Sequence, residues 1–200
     1  MEKKESAYCF QRVIAFIIDM MIVGIVSGLL STPFVKTSSI EKLSVESNKV
    51  ADQYIAGKID LKTFLNQSAD ISYEISRANG IATIIEVIML ILYFVVYQLY
   101  NNGQTLGKKL MKIRVVTNDS SDLTMNNLII RSLIVNFILV DMLVLAFTIF
   151  ASKDVYFYAT SIFMGFQYLV IIVSIFMILC GRECRGIHDR LSHTRVVNVD

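Results

Sequence analysis

The chain of 200 residues contains no tryptophan, a single proline (Pro33), three cysteines and two histidines, and its formal net charge is only +2. Each shortage excludes something. One proline, placed at the end of an apolar run, makes a proline-kinked transport helix a poor expectation. Cys9, Cys180 and Cys184 are odd in number and fall beside expected helix ends, which suits reduced thiols and not a disulfide framework. A charge this small, without a basic stripe interleaved with aromatics, argues against a nucleic-acid partner. No H-E-x-x-H or G-x-S-x-G occurs, so no recognised nucleophile is present and no enzyme is expected. Cys180, Cys184 and His188 stand at i, i+4 and i+8, yet no C-x-x-C pair completes a tetrahedral set. Neither a metal nor a cofactor is expected. GQTLGKK at 103–109 is one residue short between its glycines for a phosphate loop and carries Lys where Ser or Thr belongs.

What the chain has in excess is apolar length. Hydrophobic residues make up 54% and the mean hydropathy is +0.58, both produced by long runs. Four runs can cross about 30 Å of hydrocarbon at 1.5 Å per residue: 13–34, 81–100, 128–150 and 155–180. The fold class expected is therefore an all-α membrane protein with about four transmembrane helices in a single domain spanning 1–200. Lys3 and Lys4 precede the first run as in a signal peptide, but the run continues to Leu30 without an A-x-A site and reads as an uncleaved anchor. Between the first two runs lies a polar insert, 36–79, whose spacing predicts two amphipathic helices broken at Gly57, with Asp60 as N-cap of the second.

Lysine and arginine set the orientation. The loop 101–127 holds Lys108, Lys109, Lys112 and Arg114; the tail holds Arg182, Arg185, Arg190 and Arg195; the N-terminus holds Lys3, Lys4 and Arg12. Both termini and this loop are expected in the cytoplasm, and the insert outside. Two cytoplasmic segments match each other: KLMKIRVV at 109–116 and RLSHTRVV at 190–197, each after a pair of spans. They suggest a parallel repeat of two helices plus an interfacial motif, with Arg12–Asp19 loosely matched by Arg131–Asp141.

The organising segment is FQRVIAFIIDMMIVGIVSGLL at 10–30, an apolar helix with Arg12 at its entry and Asp19 inside. A central carboxylate opposes insertion by about 2.5–3.5 kcal/mol, so Asp19 requires a reason. Arg131 or a basic group of the tail is the expected partner of Asp19, because Arg12 is about 10 Å away along the helix. Two readings stand for this inner set: a packing ion pair, or a cation- or proton-binding acid on a polar path. Glu86 and Asp141 form an outer set without an intramembrane cation at their depth. Glu86 shares a stripe with Tyr93, Tyr97 and Tyr100, and Asp141 with Thr148. Such stripes serve helix–helix hydrogen bonding or line a hydrated path. Gly24 and Gly28 form a G-x-x-x-G pair roughly opposite Asp19, suited to close packing on a neighbouring helix of this chain or of a second copy.

FQRVIAFIIDMMI, GQTLGKKLMKIRVV and GIHDRLSHTRVV, in this order, resemble the RDD family of bacterial multi-pass membrane proteins, over nearly the whole chain except 36–79. The family is named for one arginine and two aspartates, which the resemblance carries onto Arg12, Asp19 and Asp189. It implies a bacterial plasma membrane location and an interfacial motif (Gly103, Gln104, Gly107, Lys108, Lys109 and, in the tail, His188) whose lysines face headgroups. Transport of unassigned ligands, including cation/proton exchange, has been proposed for the family. The expected function is thus a small transporter or ion-coupled permease using intramembrane acids. The alternative is a non-catalytic adaptor or regulator of a partner membrane protein. Expected partners are the bilayer, a second copy of the chain, and small cations or protons.

Overall fold

The computed structural model describes residues 5–119, 121–181 and 184–199. Lys3, Lys4 and Arg182, used above for orientation, lie outside these. Helix α1 spans Cys9–Ser31 and ends in a 3-10 turn at Thr32–Phe34 containing Pro33. The insert starts with α2, Thr37–Ile55, and α3 begins at Leu61. Gly57 (φ 68°) makes the break, and Asp60 caps α3 by accepting from the Thr63 amide at 3.0 Å, both as the sequence predicts.

Helix α3 then departs from expectation. It does not stop before the second apolar run. It continues over Leu61–Ile91, through a π-helical stretch at Leu92–Tyr97 and into α4, Gln98–Tyr100. The insert's second helix and the second span are one 40-residue element, about 60 Å long. Gly80 stands between the two expected segments, but a glycine costs only about 1 kcal/mol in a helix interior, and this one meets nothing within 4 Å. A lone glycine without a capping residue does not end a helix.

The third apolar run is also different. It divides into α6, Met125–Val135, and α7, Ile138–Phe150, with a bend of 69° between them. The break falls at buried Asn136 and at Phe137, whose φ of 59° is left-handed. Inside an apolar layer the carbonyls freed by such a break need donors. Gln167, buried on the next helix, supplies one to Ile134. Gln167→Leu is expected to lower stability by about 1–3 kcal/mol, the cost of an orphaned buried carbonyl, measurable by thermal unfolding in detergent.

The remaining long helix is α8, Lys153–Cys180. Among the described residues three helices are thus long and apolar enough to cross a membrane, or four if the bent pair counts as one span. Their outward side chains (Ile17, Met21, Ile25, Ile162, Phe166, Phe176) are large, apolar and exposed, the pattern that lipid contact demands.

The two matched segments become small folded units, each a short helix followed by a strand. Helix α5, Leu106–Leu110, leads through left-handed Lys112 into strand β1, Ile113–Thr117. Helix α9, Ile187–Leu191, leads through left-handed His193 into β2, Thr194–Asn198. The strands pair antiparallel with Val115 opposite Val196, Arg114 opposite Val197 and Val116 opposite Arg195. The two R-V-V triplets thus pair with each other about a local two-fold, the geometric form of the repeat. The N-terminal residues add to this collar: Asn198 donates to the Glu5 carbonyl and Ala7 to that of Val196, both at 3.0 Å. Ala7, Ala15, Val95, Ile113, Val115, Leu128 and Val196 form the core that joins the collar to the helices.

Candidate functional site

Helix α1 holds both halves of the collar, each by one charged residue. Asp19, fully buried, reaches the first half. Its carboxylate accepts from the Gly107 amide at 2.7 Å, the Thr105 hydroxyl at 2.5 Å and the Tyr93 hydroxyl at 2.7 Å. An ionised carboxylate is acceptor-only, so three converging donors suit it. Two of them belong to the start of α5, where amides lack helical partners. Asp19 is therefore an N-terminal cap delivered from another helix, and it does not pair with Arg131.

Local sequence explains why α5 can come so close. Thr105 is an N-cap residue whose hydroxyl also accepts from the Lys108 amide at 3.4 Å. At Gly107 a Cβ would lie 2.3 Å from the Ala15 carbonyl oxygen and 2.8 Å from Asp19 Oδ1, so only glycine admits this contact. Gly103 (φ 81°) does the same service against β1, where a Cβ would lie 2.1 Å from the Val115 carbonyl oxygen. Gln104 donates to the Ile113 carbonyl at 3.0 Å, fixing the loop on the strand. The π-helical stretch carries Tyr93, which reaches Asp19 and also accepts from the Leu106 amide at 3.1 Å.

Arg12 reaches the second half. It donates to Asp189 Oδ2 at 3.0 Å and to the Val196 carbonyl at 3.2 Å. Asp189 is fully buried and also accepts from the Gly186 amide at 3.0 Å and from Arg131, which bonds Thr194 as well. One carboxylate thus ties α1, α6 and the α9–β2 unit together. Burial alone would raise the Asp189 pKa, but Arg131 foremost, with Arg12, overcomes it and holds the group well below the usual carboxylate range. Neighbouring His188 is pushed down to about 3, chiefly by burial and then by Arg131, so its ring is neutral. Its Nδ1 lies 2.8 Å from the Ser174 hydroxyl, which accepts from the Ile187 amide at 3.1 Å. The hydroxyl proton then goes to Nδ1, and Nε2–H faces Asp189 Oδ2 at 3.5 Å.

The lysines part ways. Lys109 bonds Asn101 at 2.8 Å and lies over the Tyr97 ring. Lys108 does not face headgroups: it turns inward, with its ammonium 3.0 Å from Gln98 Oε1 and 5.6 Å from the Phe94 ring centre. Burial, then Arg131, lowers its pKa to about 7. Between pH 7 and about 10.5 the unfolded chain binds this proton and the folded chain does not, so stability rises with pH across that window. Unfolding in detergent free of anionic lipid is expected to show the rise, and Lys108→Met to remove it.

These groups border a cavity of about 200 Å³. Arg12, Arg131, Lys108, Asp19 and His188 lie at its polar end, and Phe16, Val170, Ile171 and Ile175 along its apolar walls. A second cavity, about 250 Å³, contains the outer acids: Glu86 and Asp141 line it with Met20, Leu90, Phe137 and Tyr168. Asn136, at the helix break, lines both. No ion pair to Glu86 or Asp141 occurs among the described residues.

Arg12, Arg131 and Asp189 thus come together, while Asp19 stands beside the loop 103–107 and Glu86 and Asp141 stand apart at the break. The Glu86 stripe dissolves: Tyr93 serves Asp19, Tyr97 stacks on Tyr93 at 5.4 Å, and Tyr100 is exposed. Thr148 does join helices, bonding Ser76 at 2.8 Å. Gly24 and Gly28 pack on nothing among the described residues, for a Cβ at either position would meet no atom within 4 Å. Sequence reasoning missed Thr105, Gln98, Asn136, Gln167 and Ser174, and it placed Tyr93 in the Glu86 stripe without its bond to Asp19. Only Thr105 carried a readable signal, a threonine just before a short basic helix.

A few long apolar helices and a bent apolar helix pair, clasped at one end by a strand-paired collar, define an α-helical membrane protein. The chain belongs to the RDD family, whose sequence model matches residues 7–193. No curated protein and no solved structure matches it significantly.

Proposed function

We propose that the protein is a multi-pass protein of the bacterial cell membrane that works as a small ion-coupled transporter, with Glu86 and Asp141 as the acids that carry a proton or a small cation. The observation that carries this reading is that Asn136, at the bend between two apolar helices, lines both cavities. Broken helices at mid-membrane depth are where transporters place their ion sites. Two carboxylates without a cationic partner in low dielectric favour holding one proton or cation between them. In this reading Arg12, Asp19 and Asp189 are scaffold and the outer acids are working groups. Glu86 is exposed on a single chain. A span carboxylate facing lipid is costly, so a homo-oligomer in which a second copy covers it, with Gly24 and Gly28 free for the contact, belongs to the proposal.

A second reading, a non-catalytic adaptor of a partner membrane protein, draws on the same clasp, because all three family residues are engaged in holding the collar. Cation-driven proton flux in reconstituted vesicles separates the two. The transport reading expects flux in the wild type, and its loss in Glu86→Gln and Asp141→Asn with unfolding temperatures retained. Flux no greater than in empty vesicles for the cations tried, or flux indifferent to both substitutions, would sink it.

A further inference from the structure

The cavity between α1 and α8 has a charge that its own residues do not balance. Three cations border its polar end, Arg12, Arg131 and Lys108. Two carboxylates answer them among the described residues, Asp19 and Asp189, and both are already engaged by other donors. Among the described residues one positive charge is left over whenever Lys108 carries its proton. It is not spread evenly: among the described residues the Lys108 ammonium makes its direct contacts with the neutral Gln98 oxygen and the Phe94 ring and forms no ion pair. The Arg12 side chain is 9% exposed, and its Nε–H is buried without a hydrogen-bond partner among the described residues. A buried donor and an unbalanced buried cation facing one space are costly unless an anion fills it.

The rest of the cavity says what kind of anion. The other walls are mostly apolar, with Val13, Phe16, Val170, Ile171 and Ile175, and their polar members Ser132, Asn136 and Ser174 carry no charge. Val13 on α1 and Ile175 on α8 are the exposed members, about two-fifths exposed (39% and 40%), so the gap opens sideways between two apolar helices. The polar end lies against the collar, since Lys108 belongs to α5 and His188 to α9. A volume near 200 Å³ is below the roughly 300–1,000 Å³ of sites that enclose a whole small molecule. It fits a head and the start of a chain whose remainder stays in the bilayer.

We infer that this cavity is a binding site for an anionic membrane lipid, whose singly charged phosphodiester sits against Lys108 and Arg12 and whose acyl chain leaves between Val13 and Ile175. A phosphodiester supplies the one negative charge that is missing and accepts the free Nε–H. A free inorganic phosphate would leave the apolar walls empty and would carry more than one charge. The site uses neither Glu86 nor Asp141, which line the second cavity and not this one, and shares with the transport reading only Asn136, which borders both.

Native mass spectrometry of the full-length protein, released from neutral detergent with one added probe at a time, tests it. The probes are phosphatidylglycerol, phosphatidylcholine of the same chains, a fatty acid and inorganic phosphate. The expected result is a one-to-one adduct with phosphatidylglycerol, at least tenfold tighter than with phosphatidylcholine. Lys108→Gln should cost about tenfold, and Ile175→Trp, which plugs the mouth and leaves the charged cluster untouched, should cost at least as much. If Lys108→Gln does not fold, Ile175→Trp decides alone. No preference for the anionic lipid, or a preference that survives Ile175→Trp, would overturn the site. Equal binding of inorganic phosphate or of the fatty acid would overturn the phosphodiester lipid as its occupant.

Discussion

Asp189→Asn is expected to destabilise the protein by about 3–5 kcal/mol, a large fraction of an ordinary protein's whole stability. The substitution removes the one carboxylate between Arg12 and Arg131 and leaves two buried guanidiniums facing each other. The loss is largest in what it uncovers: an unpaired buried charge is far more costly than the pair is favourable. Circular dichroism in detergent against temperature measures it. An accompanying Arg131→Leu should return part of the lost stability, because it removes one of the two stranded cations.

Gly107→Ala is the second large effect, and it works by contact instead of charge. The new methyl would stand 2.3 Å from the Ala15 carbonyl oxygen, backbone against backbone, with no flexible side chain to give way. Helix α5 must lift from α1, and the Gly107 and Thr105 bonds to Asp19 go with it. Asp19 is then a buried carboxylate with one donor left, Tyr93. A loss of about 3 kcal/mol or more is expected from the clash and the two bonds together. Hydrogen exchange should show it as faster exchange in 105–117, ahead of global unfolding. Gly24→Ala, at a glycine with nothing near it, should be within about 0.5 kcal/mol of wild type in the isolated chain.

These two positions also mark where the sequence is legible. Length and hydropathy announce the apolar helices because a bilayer imposes length on any helix that crosses it. The insert is read correctly at Gly57 and Asp60 because turn and cap chemistry are local. The break at Asn136 and Phe137 is not local: it has no glycine or proline, and it persists because Gln167, thirty-one residues beyond Asn136, meets a freed carbonyl. The run through Gly80 fails for the opposite reason, a glycine that invites a break which nothing else enforces. The matching R-V-V triplets suggested a repeat, but only the pairing of Val115 with Val196 shows that the copies face each other. Asp19 was recognisable as a residue needing a partner. Its partners, a backbone amide and two hydroxyls, are invisible to reasoning that matches charge with charge.

Helix α1 works as a two-point clasp: Arg12 holds the α9–β2 unit through Asp189, and Asp19 independently holds α5. Double-mutant cycles on unfolding free energy test it most directly. The clasp predicts a coupling of about 1–3 kcal/mol between Arg12→Gln and Asp189→Asn, and a coupling within about 0.5 kcal/mol between Arg12→Gln and Asp19→Asn. A large Arg12–Asp19 coupling with none between Arg12 and Asp189 would contradict it.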